Sequence, residues 1–485
     1  MILISNKKDN FMYKNQYKSK RLWILLAALS FAGLTSCQSY KNLHEIPPVD
    51  THGMIRDGDK NKEDTTRIAD IPWQEYIKDI KLQVLISEGI ENNFDLRIAL
   101  SRIKQSEANL SMAKGALAPS LSAGAGIDHT RTSSEDDKGK DILGYTTNQN
   151  TLGFSASWEI DLWGKLNSQS KASYANLLNS YQYRKLVQTE LVAGIANAYY
   201  NLLALDRQLQ ITKETAVLLQ ENAETMLALK EAGQQNAAAV EQSNALLYST
   251  QLSIPGIEIR IREQENALCI LLGRNPGPIE RTTIDGQKVP ASFDSGVPVQ
   301  QLSGRPDVKQ AELDVLAAYA TTDAAKAGFY PSLTISSASI GWASGYFADF
   351  FKPENIAANL VAGLTQPIFN KKEIKGNLQI ATARQEEALL TFQYTLLSAG
   401  QEVSDIFFGY HASLSKNDYR VKQITSLKNA VDYTRDLLIA GEANYTEVLS
   451  AQQDLLSAQL GQVDDKLEQL QYGINLYKAL GGGTD

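Results

Sequence analysis

The sequence predicts a mainly α-helical chain that lends four strands to a shared transmembrane β-barrel and carries long coiled-coil helices beyond it. Three observations predict this: a tandem repeat, two heptad seams and four segments of alternating polarity.

Residues 95–121 and 307–333 align without a gap at an offset of 212. Both begin at Asp (Asp95, Asp307), carry Ala-Lys near the end (Ala113-Lys114, Ala325-Lys326) and finish Pro-Ser-Leu. Further on, Gly233 and Gly273 stand 40 residues apart, as do Gly441 and Gly481, at an offset of 208. Two blocks at nearly one offset imply a duplication, with repeats at about 74–290 and 298–485. Length alone would suggest roughly three domains. The repeat replaces that prior.

Residues 165–232 contain no Pro and a single Gly, Gly194. As one helix they would run roughly 100 Å. Leu191, Ile195, Ala198, Leu202, Leu205 and Leu209 step by four and three, a coiled-coil seam. Leu456, Leu460, Val463, Leu467, Leu470, Ile474 and Tyr477 do the same near the C-terminus. Gly233 and Gly441 interrupt the pattern where a helix C-cap belongs, so each marks a hairpin tip. Helices are expected at about 165–232 and 236–272, and at 371–440 and 444–480. A coiled-coil rod would show these helices too.

The strands separate the two readings. Leu152, Phe154, Ala156, Trp158 and Ile160 alternate with Gly153, Ser155, Ser157 and Glu159. That is period two with one apolar face. Strands are expected at about 119–129, 149–162, 332–343 and 355–368, with a phase shift near Ser336 that suggests a bulge. Aromatics (Trp158, Trp163, Trp342, Phe347, Phe369) mark the strand ends, as in membrane barrels. Four strands cannot close a barrel, and lipid does not tolerate an open edge. Three copies give twelve strands around an open lumen, so a homotrimer is expected. Residues 131–148 and 344–354 are expected as the extracellular loops.

The N-terminus is an address. Lys14, Lys18, Lys20 and Arg21 precede the apolar stretch 22–34, too short to span a bilayer. Leu34-Thr35-Ser36-Cys37 then resembles a bacterial lipobox, with Cys37 as the lipid-bearing thiol. Residues 1–36 are expected as the lipoprotein signal peptide and 37–73 as the acylated tether. More than one acyl chain would anchor Cys37 stably. Gln38, by resemblance to bacterial sorting rules, favours the outer membrane.

Composition narrows the function classes. Acidic residues (55) exceed basic ones (47), which argues against nucleic acid as a partner. Two Cys make no disulfide framework, and Cys269, among apolar neighbours, reads as a small core residue. The four His have no metal-ligand spacing, and no phosphate loop or nucleophile elbow occurs. Adjacent acids such as Asp464-Asp465 read as solvated surface. No enzyme and no cofactor are expected.

Several segments carry a family resemblance: Leu302-Ser303-Gly304-Arg305-Pro306-Asp307-Val308, Ala325-Lys326-Ala327-Gly328-Phe329-Tyr330-Pro331, and Gly441 with Tyr445, Val448-Leu449 and Ala451-Gln452. With them the chain resembles the TolC-like outer-membrane factors, and within these the acylated branch serving resistance-nodulation-division (RND) pumps. The resemblance covers nearly everything after Asp70. It implies a trimeric conduit, closed at its periplasmic end by the hairpin tips. It also implies a periplasmic adaptor and an inner-membrane RND transporter as partners. Adaptor contact is expected around Gly233, Val240, Gly441, Val448 and Leu449. The family's gate carries inward carboxylates. Glu447 holds one such position, whereas Ser450 and Ala239 stand at others and Ala443 replaces a gate-linking Arg. An acid in a first helical turn is also favoured by the helix dipole alone. The function implied is a passive efflux duct. A duct for type I protein secretion and a lipid-anchored coiled-coil protein are the alternatives.

Overall fold

The computed structural model describes residues 44–49, 53–56, 71–135, 141–288 and 299–484. Cys37, the signal peptide and most of the tether lie outside them. In chain order the elements are α1 (Trp73–Tyr76), α2 (Ile80–Asn92), α3 (Phe94–Gly115), β1 (Ser120–Glu135), β2 (Asp141–Ile160), α4 (Lys165–Glu231) and α5 (Ala237–Leu271). The second repeat supplies α6 (Pro306–Ala327), β3 (Ser332–Ser344), β4 (Ile356–Thr365), α7 (Glu373–Ala440) and α8 (Tyr445–Ala479). Two compact units form, and each draws on both repeats.

The first unit contains Ser106–Leu178 and Leu313–Ala388. Its centre is one antiparallel sheet in the order β1-β2-β3-β4. Across it Ala125 faces Leu152, Leu152 faces Trp342 and Trp342 faces Ile356. Lower down, Leu333 pairs with both Ile160 and Leu364. Because side chains alternate, these rows put the large apolar residues on one face, with Val361 the exception on the other. That face is bare, with Leu121, Phe154, Ile340 and Leu360 all exposed. The opposite face carries small polar residues, including Ser122 and Ser155, whose hydroxyls lie 2.8 Å apart.

The register slips between Ile335 and Ser337 against β4, and between Ala156 and Trp158 opposite. Ser336 is therefore a bulge, and it explains the phase change in the sequence. β1 and β2 extend further than the alternation suggests, so much of the stretch 131–148 is paired strand rather than loop. The reason is physical. From Asp128 to Arg131, and from Thr146 to Gln149 opposite, both faces are polar, so backbone pairing continues without an amphipathic signal.

The strand-to-helix turns are tied down locally. Asp161 accepts from the first-turn amides of Leu166 (3.2 Å) and Asn167 (2.8 Å). The Trp158 indole donates to Leu117 O at 2.9 Å, and that of Trp163 to Pro331 O at 2.7 Å. Gly164 takes φ +74, and Lys372 takes φ +67 at the same place in the second repeat.

The second unit contains residues 48–105, Asn179–Glu312 and Leu389–Asp485. Its core gathers Tyr76, Ile86, Ile195, Leu202, Leu268, Leu302, Leu470 and Ile474. Cys269 is fully buried there. Ile55 is buried too, and Gly400 on α7 leaves room for the Met54 backbone, since a Cβ at Gly400 would stand 2.6 Å from Met54 O.

All four paired glycines end helices in the left-handed conformation. Gly233, Gly273, Gly441 and Gly481 have φ of +73, +69, +75 and +89. Each is followed by a residue whose amide reaches back to close a Schellman motif, such as Gln234 N to Leu229 O and Glu442 N to Leu437 O, both 2.9 Å.

Candidate functional site

The two hairpin turns of the second unit share one small core. Gly233 closes α4, and the Asn236 side chain caps α5 by accepting from Ala239 N at 2.9 Å. Gly441 closes α7, and α8 begins after Asn444 without a side-chain cap. Met226, Ala239, Val240, Tyr445 and Val448 are buried together, with Leu229, Leu438 and Leu449 at the edge. The Tyr445 ring crosses from the second turn into the first, and its hydroxyl is hydrogen-bonded to Ser243. Burial raises the Tyr445 phenol above its ordinary value, so it stays protonated.

This arrangement sorts the residues expected at the tips. Gly233 and Gly441 are exposed. Val240 and Val448 are not the exposed apolar pair anticipated for an adaptor, because each packs against the other turn of its own chain. Leu449 is half-buried. Glu447 is exposed in the first turn of α8 and has no ion-pair partner among the described residues. Ala239 occupies the matching register in the first repeat, but it is buried in the shared core. An acid there would be desolvated without a partner, which accounts for the single carboxylate.

Higher on the same helix pair lies a charged latch that sequence reasoning misplaced. Asp465 is 1% exposed, not solvated surface; Asp464 beside it is exposed. The Asp465 carboxylate accepts from Arg420 Nε at 2.7 Å, and Lys416 Nζ lies 3.0 Å away. Lys416 also reaches Glu468 at 2.8 Å. Burial alone would push the Asp465 carboxyl up. The hydrogen bonds and charges of Arg420 and Lys416 outweigh it and hold the group below the usual carboxylate value. Gly461 makes the latch possible, since a Cβ there would lie 2.9 Å from the Arg420 guanidinium carbon. Gly409 likewise leaves space for the Tyr472 ring. A helical Gly opposite a large side chain was the available signal, but it could not be read without knowing the helix pairing.

The Arg305-Pro306-Asp307 segment is a second fastening. Arg305 is buried and donates to both Asp307 oxygens (3.0 and 2.7 Å), to Glu402 (2.7 Å) and to Ala479 O (2.7 Å). It thereby joins the start of α6, the middle of α7 and the end of α8. Among the described residues no His, Cys, Asp and Glu cluster could hold a metal. No described helix is long and apolar enough to cross a membrane.

A family model described as outer membrane efflux protein matches residues 85–274 and 297–482. The chain belongs to that family. As an outer membrane efflux protein it is a channel component of the outer membrane rather than an enzyme, and its two matched segments follow the tandem repeat. The probable outer membrane lipoprotein SilC of Salmonella typhimurium is 30% identical over 420 residues, 85% of this chain and 88% of its own. The pyoverdine export outer membrane protein OpmQ of Pseudomonas aeruginosa is 30% identical over 425 residues, 85% of this chain and 87% of its own. The open-state structure of the MtrE outer membrane channel of Neisseria gonorrhoeae superposes with a TM-score of 0.79 and 25% identity, over 92% of this chain and 98% of that one. In these outer membrane efflux proteins a β-barrel is joined to an α-helical barrel, the class of fold the sequence predicts.

Proposed function

We propose that three copies of this chain form a closed twelve-stranded barrel and act as the passive exit duct of a tripartite RND-type efflux system. The observation that carries the proposal is the sheet: one wholly apolar face, with β1 and β4 at open edges. The alternating apolar part of β2, Leu152 to Ile160, is nine residues, the strand length needed to cross a bilayer. Edges in lipid must pair, and identical neighbours supply the partner strands. The cargo is drugs or other small molecules, in line with the pyoverdine export for which OpmQ is named. Energy comes from the inner-membrane RND transporter, and a periplasmic adaptor contacts the exposed parts of the tips around Gly233 and Gly441. Cys37 carries the lipid that adds a second hold on the outer membrane. Light scattering of the detergent-solubilised particle is expected to give the mass of three chains. A monomer stable in mild detergent would overturn the proposal.

At the periplasmic end, three Glu447 carboxylates form the narrowest charged ring. Such a ring attracts cations and repels anions. Glu447→Gln is expected to lower the cation preference of the reconstituted pore without changing trimer yield. Unchanged reversal potentials in a salt gradient would remove Glu447 from the constriction.

A further inference from the structure

The turn between β3 and β4, Gly345 to Asn355, stands at the same end of the sheet as the β1–β2 hairpin, yet the two differ in chemistry. The hairpin runs on beyond the row Ala125, Leu152, Trp342, Ile356 as a paired ribbon, roughly 30 Å at the rise of an antiparallel strand. Its rows from Asp128–Gln149 to Arg131–Thr146 are polar on both faces, with Thr130 donating to Asp128 at 2.7 Å and His129 paired with Asn148. The β3–β4 turn instead folds back through two short 3-10 segments (Phe347–Asp349 and Pro353–Asn355). Its Phe351 ring meets Trp342 edge-on at 5.7 Å, and Phe350 stands edge-on to Phe351 at 5.1 Å and stacks with Phe347 at 6.0 Å.

Trp342 lies in the top row of the bare apolar face. The turn is therefore laid against that face and lengthens it. Phe350 is buried beneath, while Tyr346, Phe347 and Phe351 are 78, 77 and 67% exposed. Asp349 and Lys352 pair at 2.7 Å, and Glu354, at the strand entrance, is the turn's one charge without an ion-pair partner among the described residues. Neighbouring sheets in a barrel meet edge to edge, so they leave this outward face uncovered. Aromatic rings at the boundary of an apolar barrel face belong at the lipid headgroup level.

We propose that the β3–β4 turn is a membrane anchor: Tyr346, Phe347 and Phe351 insert into the outer leaflet of the surrounding lipid, and the β1–β2 hairpin alone stands in external solvent. The proposal rests on the apolar sheet face being the lipid face, and the test keeps the two apart. Nitroxide labels are placed by Phe347→Cys, Leu360→Cys and Thr130→Cys in the full chain, whose Cys269 is buried. Each trimer is reconstituted in phosphatidylcholine vesicles, and collision with oxygen is compared with collision with a water-soluble nickel chelate. The oxygen preference at position 347 is expected to fall below that at 360, which lies deeper, and to exceed that at 130 severalfold. A label at 347 as open to the nickel chelate as 130, while 360 prefers oxygen, overturns the anchor and leaves the channel reading standing. A label at 347 shielded from both reagents overturns it as well, because the turn is then covered by protein. A label at 360 without oxygen preference overturns the lipid face itself, and the anchor with it.

Discussion

Arg305→Ala is expected to be the most destabilising single truncation in the second unit. Its guanidinium satisfies the buried carbonyl of Ala479 and two carboxylates, Asp307 and Glu402. Removing one member of a buried ion cluster leaves the others desolvated, at roughly 3–5 kcal/mol. Arg305→Lys is expected to recover only part of this, since one ammonium cannot span three directions. The cluster also sets an acid limit. Burial would raise the Asp307 carboxyl, but Arg305 outweighs it and holds the group below the ordinary carboxylate value. A depressed pKa contributes stability that is present above the unfolded value, about 3.9 for Asp. That stability is lost as pH falls through the folded value. Urea unfolding of the solubilised protein, followed by circular dichroism at pH 7 and again near pH 3, checks both. The wild-type advantage over Arg305→Ala should shrink at the lower pH. Equal midpoints at pH 7 would mean that Arg305 is not a fastening.

Gly341→Val is expected to disable the sheet. Gly341 and Gly153 are directly opposite in the β2–β3 pair. A Cβ built on Gly341 would stand 2.2 Å from Leu152 O and 2.5 Å from the Gly153 Cα, both backbone atoms that cannot swing aside. β2 and β3 must then separate one residue below the top row of the apolar face, inside the proposed membrane span, where unpaired amides cost several kcal/mol each. Loss of the heat-modifiable trimer band and of drug resistance in a deletion strain is expected. A variant that assembles and conducts normally would show that the strands have room here. Gly124→Ala, at a position with open space beside it, serves as the control and should be tolerated.

Much of this was legible in the sequence because periodicity reports burial directly. The strand faces of β2 and β4, the seam along α4 and the helix-ending role of Gly233 and Gly441 follow from spacing alone. Even the bulge at Ser336 shows as a shift of phase. What stayed hidden depends on pairing between distant segments. Asp465 looks like any surface acid until Arg420 and Lys416, 45 and 49 residues earlier, are laid beside it. Val240 and Val448 look available to a partner until Tyr445 brings the two turns together. The upper halves of β1 and β2 were missed for the opposite reason. From Asp128 to Arg131 and from Thr146 to Gln149 they are polar on both sides, so no alternation marks them as strand.

The open edges of β1 and β4 carry a genetic consequence. A ring closed by identical neighbours has no place for a faulty member, because each sheet is the template for the next. A cell making equal amounts of normal and Gly341→Val chains would, with random mixing, build only roughly one in eight rings entirely from normal chains. A lesion in the strands should therefore act dominantly. One that stops the chain before it reaches the membrane should be recessive.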